Sequence, residues 1–247
     1  MLKRGATGLL LIFTLWAGGV YLFQVPGYLL PGPGEVLERL VFLYKNAQLT
    51  THIFVTLTEI FWGFFYGSLI GIGVALVFAR LPILERIATP FILLLQTAPK
   101  IAIAPLLLLW LGLGPAPKIV LVAVVTFFPV MTGMLTGLKY VHKSYLDLAK
   151  VLKLNRWQRF LHIELPSALP TLFAGASVAT TLAITAAVIG ELMGANKGLG
   201  YLLSAGQENA DSATVMGMVL LLSLIGWLFY EIFELMRCRM EARFSEV

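Results

Sequence analysis

Six apolar runs succeed one another along the chain, each long enough to cross about 30 Å of hydrocarbon at about 1.5 Å per helical residue. They cover residues 5–23, 53–79 around a lone Glu59, 87–111 around a lone Lys100, 119–138, 168–190 and 212–236. None alternates with period two, which excludes a transmembrane β-barrel. The pattern predicts an all-α integral membrane protein of six transmembrane helices.

The polar residues between these runs are unevenly dealt. Residues 139–159 hold six of the 18 lysines and arginines: Lys139, Lys143, Lys150, Lys153, Arg156 and Arg159. With the N-terminus inside, thirteen basic residues fall on the cytoplasmic side and four, Arg39, Lys45, Lys118 and Lys197, in outer loops. Basic residues collect on the cytoplasmic side of membrane proteins, so both termini are expected there. Lys3-Arg4 ahead of an apolar run and Ala17-Gly18-Gly19 also has the shape of a secretory signal; we read it as a retained anchor.

Composition agrees with this picture. The 247 residues are 59% hydrophobic and 13% charged, about half the charge of a soluble domain. A net charge of +5 could suggest a nucleic-acid partner, but the positions of the charges account for it, and none is expected. No Cys/His cluster points to a metal. The expected organisation is an N-terminal anchor (1–30), an outer amphipathic connection (31–52), a transmembrane core (53–239) with a polar loop at 139–166, and a cytoplasmic tail (240–247).

Gly63, Gly67 and Gly71 recur every four residues in the second span, and Gly133 and Gly137 stand in the fourth. Small residues in register let helices approach closely where lipid supplies no hydrophobic drive. The third span carries Pro90, Pro99 and Pro105, which break its hydrogen-bond ladder, and Lys100. Broken helices at mid-depth often build translocation paths, so Pro99, Lys100 and Pro105 are candidates for one. The alternative places Lys100 nearer the outer mouth, held by carbonyls that Pro99 or Pro105 frees. Glu191 could gate that mouth or pair with Lys197 or Lys118, and Glu59 reads as a helix-interface contact.

The loop itself reads as two short helices. Ser144 can cap the first and Asn155 the second, with Gln158 in capping-box relation. Leu148, Val151, Leu152, Leu154, Trp157 and Phe160 make this elbow too apolar for a purely solvated face.

Asp147-Leu148-Ala149, then Lys153, then Ile163-Glu164-Leu165-Pro166 at matching distance resembles the cytoplasmic loop by which ATP-binding cassette (ABC) importers dock their ATPase. It departs from that motif at Asp147, Leu148 and Lys153, where glycine normally supplies a bend that Asn155 is expected to take over. Thr97-Ala98-Pro99-Lys100, Leu109-Trp110-Leu111-Gly112-Leu113-Gly114, Phe127-Phe128-Pro129 and Gly198-Leu199-Gly200-Tyr201 are similar to the nitrate, taurine and alkanesulfonate branch of these permeases, and to importers of thiamine precursors and riboflavin.

The resemblance implies a type I importer fold in the bacterial inner membrane, a homodimer of permeases, two ATPase subunits, and a periplasmic or lipid-anchored binding protein. It implies ATPase coupling through Asp147, Leu148, Ala149, Lys150, Lys153, Leu154, Asn155 and Trp157, with a small anionic or heterocyclic nutrient as cargo. No G-x-x-x-x-G-K-[ST] occurs in the chain, so ATP and its Mg are expected on the partner ATPase. A membrane-embedded enzyme needs a nucleophile beside a base, and no histidine lies inside a predicted span; no catalytic residue is assigned. A passive channel leaves the elbow unexplained.

Overall fold

The computed structural model describes residues 13–245. Helix α1 (Phe13–Leu22) is the described part of the first predicted span, whose residues 5–12 lie outside the described residues. Four further helical runs are long and apolar enough to cross a membrane: α3 (Leu49–Arg80), α6 (Ala116–Lys139), the continuous run Arg156–Leu192, and Ser212–Met240. The last belongs to α11 (Ser212–Ser245), which runs on through most of the expected tail.

The third predicted span is not one helix. α4 (Pro82–Thr97) and α5 (Lys100–Leu111) meet at 94°. Ala98, preceding a proline, takes an extended ψ of 136°, and Pro99 has no N–H to carry the ladder on. Pro90 and Pro105, by contrast, are accommodated inside their helices.

Three shorter helices complete the described chain: α2 (Pro33–Asn46), α7 (Lys143–Val151) and α10 (Leu199–Glu208). α2 starts where proline needs no amide bond and where Glu35 turns back to accept the Gly32 N–H at 3.1 Å. α10, which joins the ends of the last two spans, has no counterpart among the elements expected from the sequence.

α3, α6 and α9 (Leu165–Leu192) form the centre. In a bilayer helices associate by close packing rather than by expelling water, and here the small residues permit it. A Cβ on Gly67 would stand 2.5 Å from the Ala123 carbonyl oxygen, and one on Gly63 or Gly71 would stand 2.8 Å from the carbonyl of Ile119 or Phe127. On the other face of α6, a Cβ on Gly133 would meet the Thr171 carbonyl at 2.6 Å, and one on Gly137 the Ala168 Cα at 2.6 Å. Around these seams Ile60, Leu121, Met134, Leu199 and Met218 are fully enclosed.

Candidate functional site

The elbow lies at the basic end of the bundle. α7 starts not at Ser144, as its sequence suggests, but after His142, whose Nδ1 accepts the Ser144 amide at 3.3 Å. Its end is a Schellman turn: the Leu154 amide donates to the Ala149 carbonyl and the Lys153 amide to the Lys150 carbonyl, both at 3.0 Å. Lys153 itself adopts the left-handed conformation, φ +51°. The bend is therefore made at Lys153 and not at Asn155, which is extended and caps the next helix.

At that cap Asn155 Oδ1 accepts the Gln158 amide at 2.8 Å, and Gln158 Oε1 accepts the Asn155 amide at 2.9 Å. The short helix α8 (Arg156–Arg159) does not stand alone. It passes through a π turn, Phe160–Glu164, straight into α9. The Leu165 amide bonds back to Phe160, one residue further than in an α-helix, which places Glu164 against Arg80 and Arg159, each at 2.7 Å. Leu148, Val151, Leu152 and Trp157 are exposed, Leu154 is half-buried, and Ala149 is buried. Asp147 pairs with Lys150 at 2.7 Å on the exposed side.

At the opposite end stands a buried polar cluster. Glu191 is 1% exposed. It accepts Thr56 Oγ1 at 2.6 Å and the Gly200 amide at 2.5 Å, while the Leu199 amide donates to Thr56 Oγ1 at 2.8 Å and the Gly198 amide to His52 Nδ1 at 3.0 Å. α3 and α9 thus satisfy the opening amides of α10, and the Glu191 carboxylate meets the positive end of its dipole. Gly198, at φ +122°, takes a conformation that side chains rarely adopt.

Beside it Lys118 donates to Glu59 Oε1 at 3.0 Å, with side chains 6% and 2% exposed. Lys118 lies within electrostatic reach of Glu191 as well. Its predicted place in an outer loop is corrected: it belongs to the first turn of α6 and is buried. The available signal was a lone acid in one apolar run, which demands a base from another. A cleft of ≈ 450 Å³ opens over this pair, walled by Phe54, Thr58, Leu113, Pro115, Asn196 and Lys197.

Glu191 is therefore enclosed rather than set at an open mouth, and among the described residues no hydrogen bond or ion pair joins it to Lys100. Lys100 is the first residue of α5, where the helix dipole disfavours a cation. Its ammonium turns back to the Gln96 carbonyl in the last turn of α4, the favourable end of that dipole, and so spans the bend.

Comparison with known proteins accords with this architecture. Residues 67–246 match the family of binding-protein-dependent transport system inner membrane components. The riboflavin transport system permease protein RibX of Chloroflexus aurantiacus is 30% identical over 90% of this chain and 83% of its own. The taurine transport system permease protein TauC of Escherichia coli is 29% identical over 89% of this chain and 82% of its own. The inward-facing MetNI methionine ABC transporter shares the fold, with a TM-score of 0.62 at 20% identity over 76% of this chain and 95% of that one. Family match, relatives and fold agree: the chain belongs to the binding-protein-dependent transport system inner membrane components and is a multi-pass permease of an ABC importer.

Proposed function

We propose that two copies of this chain form the pathway through which a small nutrient, delivered by a binding protein outside, enters the cytoplasm. ATP is hydrolysed by separate ATPase subunits docked on the elbow. The basic end is cytoplasmic and both termini lie there, a reading supported by the partition of lysine and arginine. The observation that carries the proposal is the elbow: a rigid double cap holds Leu148, Val151, Leu152 and Trp157 outward, an apolar surface at the end of the bundle that a partner groove would bury. Because α8 continues into α9, a displacement of the elbow is transmitted to the centre of the bundle, which provides a two-state element for alternating access.

The cargo is a small anionic or heterocyclic nutrient, supported by the names of the taurine and riboflavin relatives. Coupling is tested with Leu148→Asp combined with Trp157→Asp. The variant should insert into the membrane normally and lose its ATPase in affinity copurification. Undiminished recovery of the ATPase would refute the docking surface. For orientation, a cysteine at Asn155 should react only with membrane-permeant reagents and one at Asn196 with impermeant reagents added outside; the reverse pattern would overturn it.

A further inference from the structure

Three arginines converge at the basic ends of two neighbouring spans. Arg80 closes α3, while Arg156 and Arg159 open the Arg156–Leu192 run. With Leu76, Trp157 and Phe160 they line a cleft of ≈ 690 Å³. Its charge is not balanced from within. Glu164 serves Arg80 and Arg159 together, and Arg156 has no carboxylate partner among the described residues. Arg80 also lies over the Phe160 ring, 5.8 Å from its centroid.

The side chains of Arg80 and Arg159 remain 49% and 40% exposed, so both retain free N–H groups beside the unpaired Arg156. The cleft therefore combines surplus guanidinium charge with an apolar wall from α3 and an indole that is 72% exposed. It lies where two spans end, the depth at which headgroups and interfacial aromatic rings meet. Guanidinium forks match phosphate oxygens, Leu76 and Trp157 match the first carbons of an acyl chain, and basic pockets between span ends on the cytoplasmic side bind anionic headgroups.

We propose that this cleft holds an anionic phospholipid of the inner leaflet, its phosphate on Arg156, Arg80 and Arg159 and its chains against Leu76. The proposal rests on the cytoplasmic placement of the basic end. A lipid there bridges the end of α3 and the root of the elbow, and so links the coupling element to the composition of the bilayer. The elbow's own exposed residues, Leu148, Val151 and Leu152, belong to α7 and its end and do not line this cleft, which leaves it distinct from the proposed ATPase surface except at Trp157.

The test uses the assembled transporter with its ATPase, in detergent, and counts retained lipid by native mass spectrometry. Phosphatidylglycerol and phosphatidylcholine of equal chain length are offered, with glycerol 3-phosphate as a soluble competitor. Phosphatidylglycerol should be retained preferentially, Arg156→Gln should weaken retention about five-fold, and Arg156→Lys should keep part of it. Equal retention of the two lipids, or no effect of Arg156→Gln, would overturn the site. Displacement by glycerol 3-phosphate at equal concentration would replace the lipid with a soluble phosphate. Retention by the permease alone that disappears when the ATPase binds would assign the arginines to acidic groups of that subunit. Lipid retention is read in detergent, independently of the labelling and copurification outcomes that test orientation and docking.

Discussion

Replacing Lys118 by methionine probes the buried cluster at its most sensitive point. The change keeps length and packing but leaves Glu59 facing no cation in a site where the two side chains are 6% and 2% exposed. Glu59 Oε2 is already buried without a hydrogen-bond partner. Removing one partner of a buried pair costs about 3–5 kcal/mol, because the remaining charge stays out of water. At about 2–4 °C per kcal/mol for a chain of this size, the melting temperature should fall by roughly 6–20 °C.

The companion variant separates charge from shape. Glu59→Gln with Lys118→Met removes both charges and should recover a coupling of about 1–3 kcal/mol relative to the sum of the single changes. Thermal unfolding of detergent-purified protein, followed by intrinsic fluorescence and by size exclusion after heating, measures all four corners of the cycle. A Lys118→Met protein melting within 2 °C of the parent, or additive single changes, would refute the argument that this pair is buried and coupled.

Three further outcomes follow from local geometry. Gly67→Leu forces a side chain against the Ala123 carbonyl and should destabilise by at least about 1–3 kcal/mol, whereas Gly73→Leu, where nothing lies within 4 Å, should be tolerated; equal melting temperatures would count against the glycine seam. Lys100→Met releases the tie across the bend between α4 and α5 and should lower transport with ATPase assembly retained, with Lys100→Arg partly active; normal transport by Lys100→Met would remove the residue from the working path. Asp211 caps α11 and pairs with Arg39 at 2.5 Å. Burial alone would raise its carboxyl, but the bonds from Thr214 and the Arg39 guanidinium outweigh it and hold it below the ordinary value. Its contribution is therefore present above the unfolded carboxylate range and lost as pH falls through the depressed folded pKa. Asp211→Asn should remove it at neutral pH and speed hydrogen exchange in α2; unchanged exchange would exclude the tether.

Much of this architecture was legible because hydropathy sets span length and glycine spacing sets the seams. Gly63, Gly67 and Gly71 pointed to a close helix contact, and the structure supplies its partner in α6. The Asn155–Gln158 box was readable because both halves of a reciprocal cap are local. What failed depended on tertiary surroundings. Ser144 was a reasonable cap by composition, but His142 stands two residues earlier and its ring accepts the Ser144 amide. Lys153 enters the left-handed region despite its side chain because the end of α7 needs a Schellman turn there, and its side chain is exposed. The sharp bend at Pro99 could not be distinguished from a kink, since Pro90 and Pro105 occupy the same apolar run and leave their helices continuous. Lys118 looked like a loop residue by position, and its burial depended on knowing that α3 and α6 are neighbours. The function of α10 as a helix whose opening amides are held by His52, Thr56 and Glu191 is a long-range arrangement with no local signature.

The central claim, that the elbow receives the ATPase and the opposite end faces the binding protein, is tested most directly by photo-crosslinking in the assembled transporter. A photoreactive residue replacing Leu148 should capture the ATPase and none of the binding protein. One replacing Leu113, exposed at the other end, should never capture the ATPase. An ATPase adduct from position 113, or none from position 148 in a complex shown to contain the ATPase, would contradict the account.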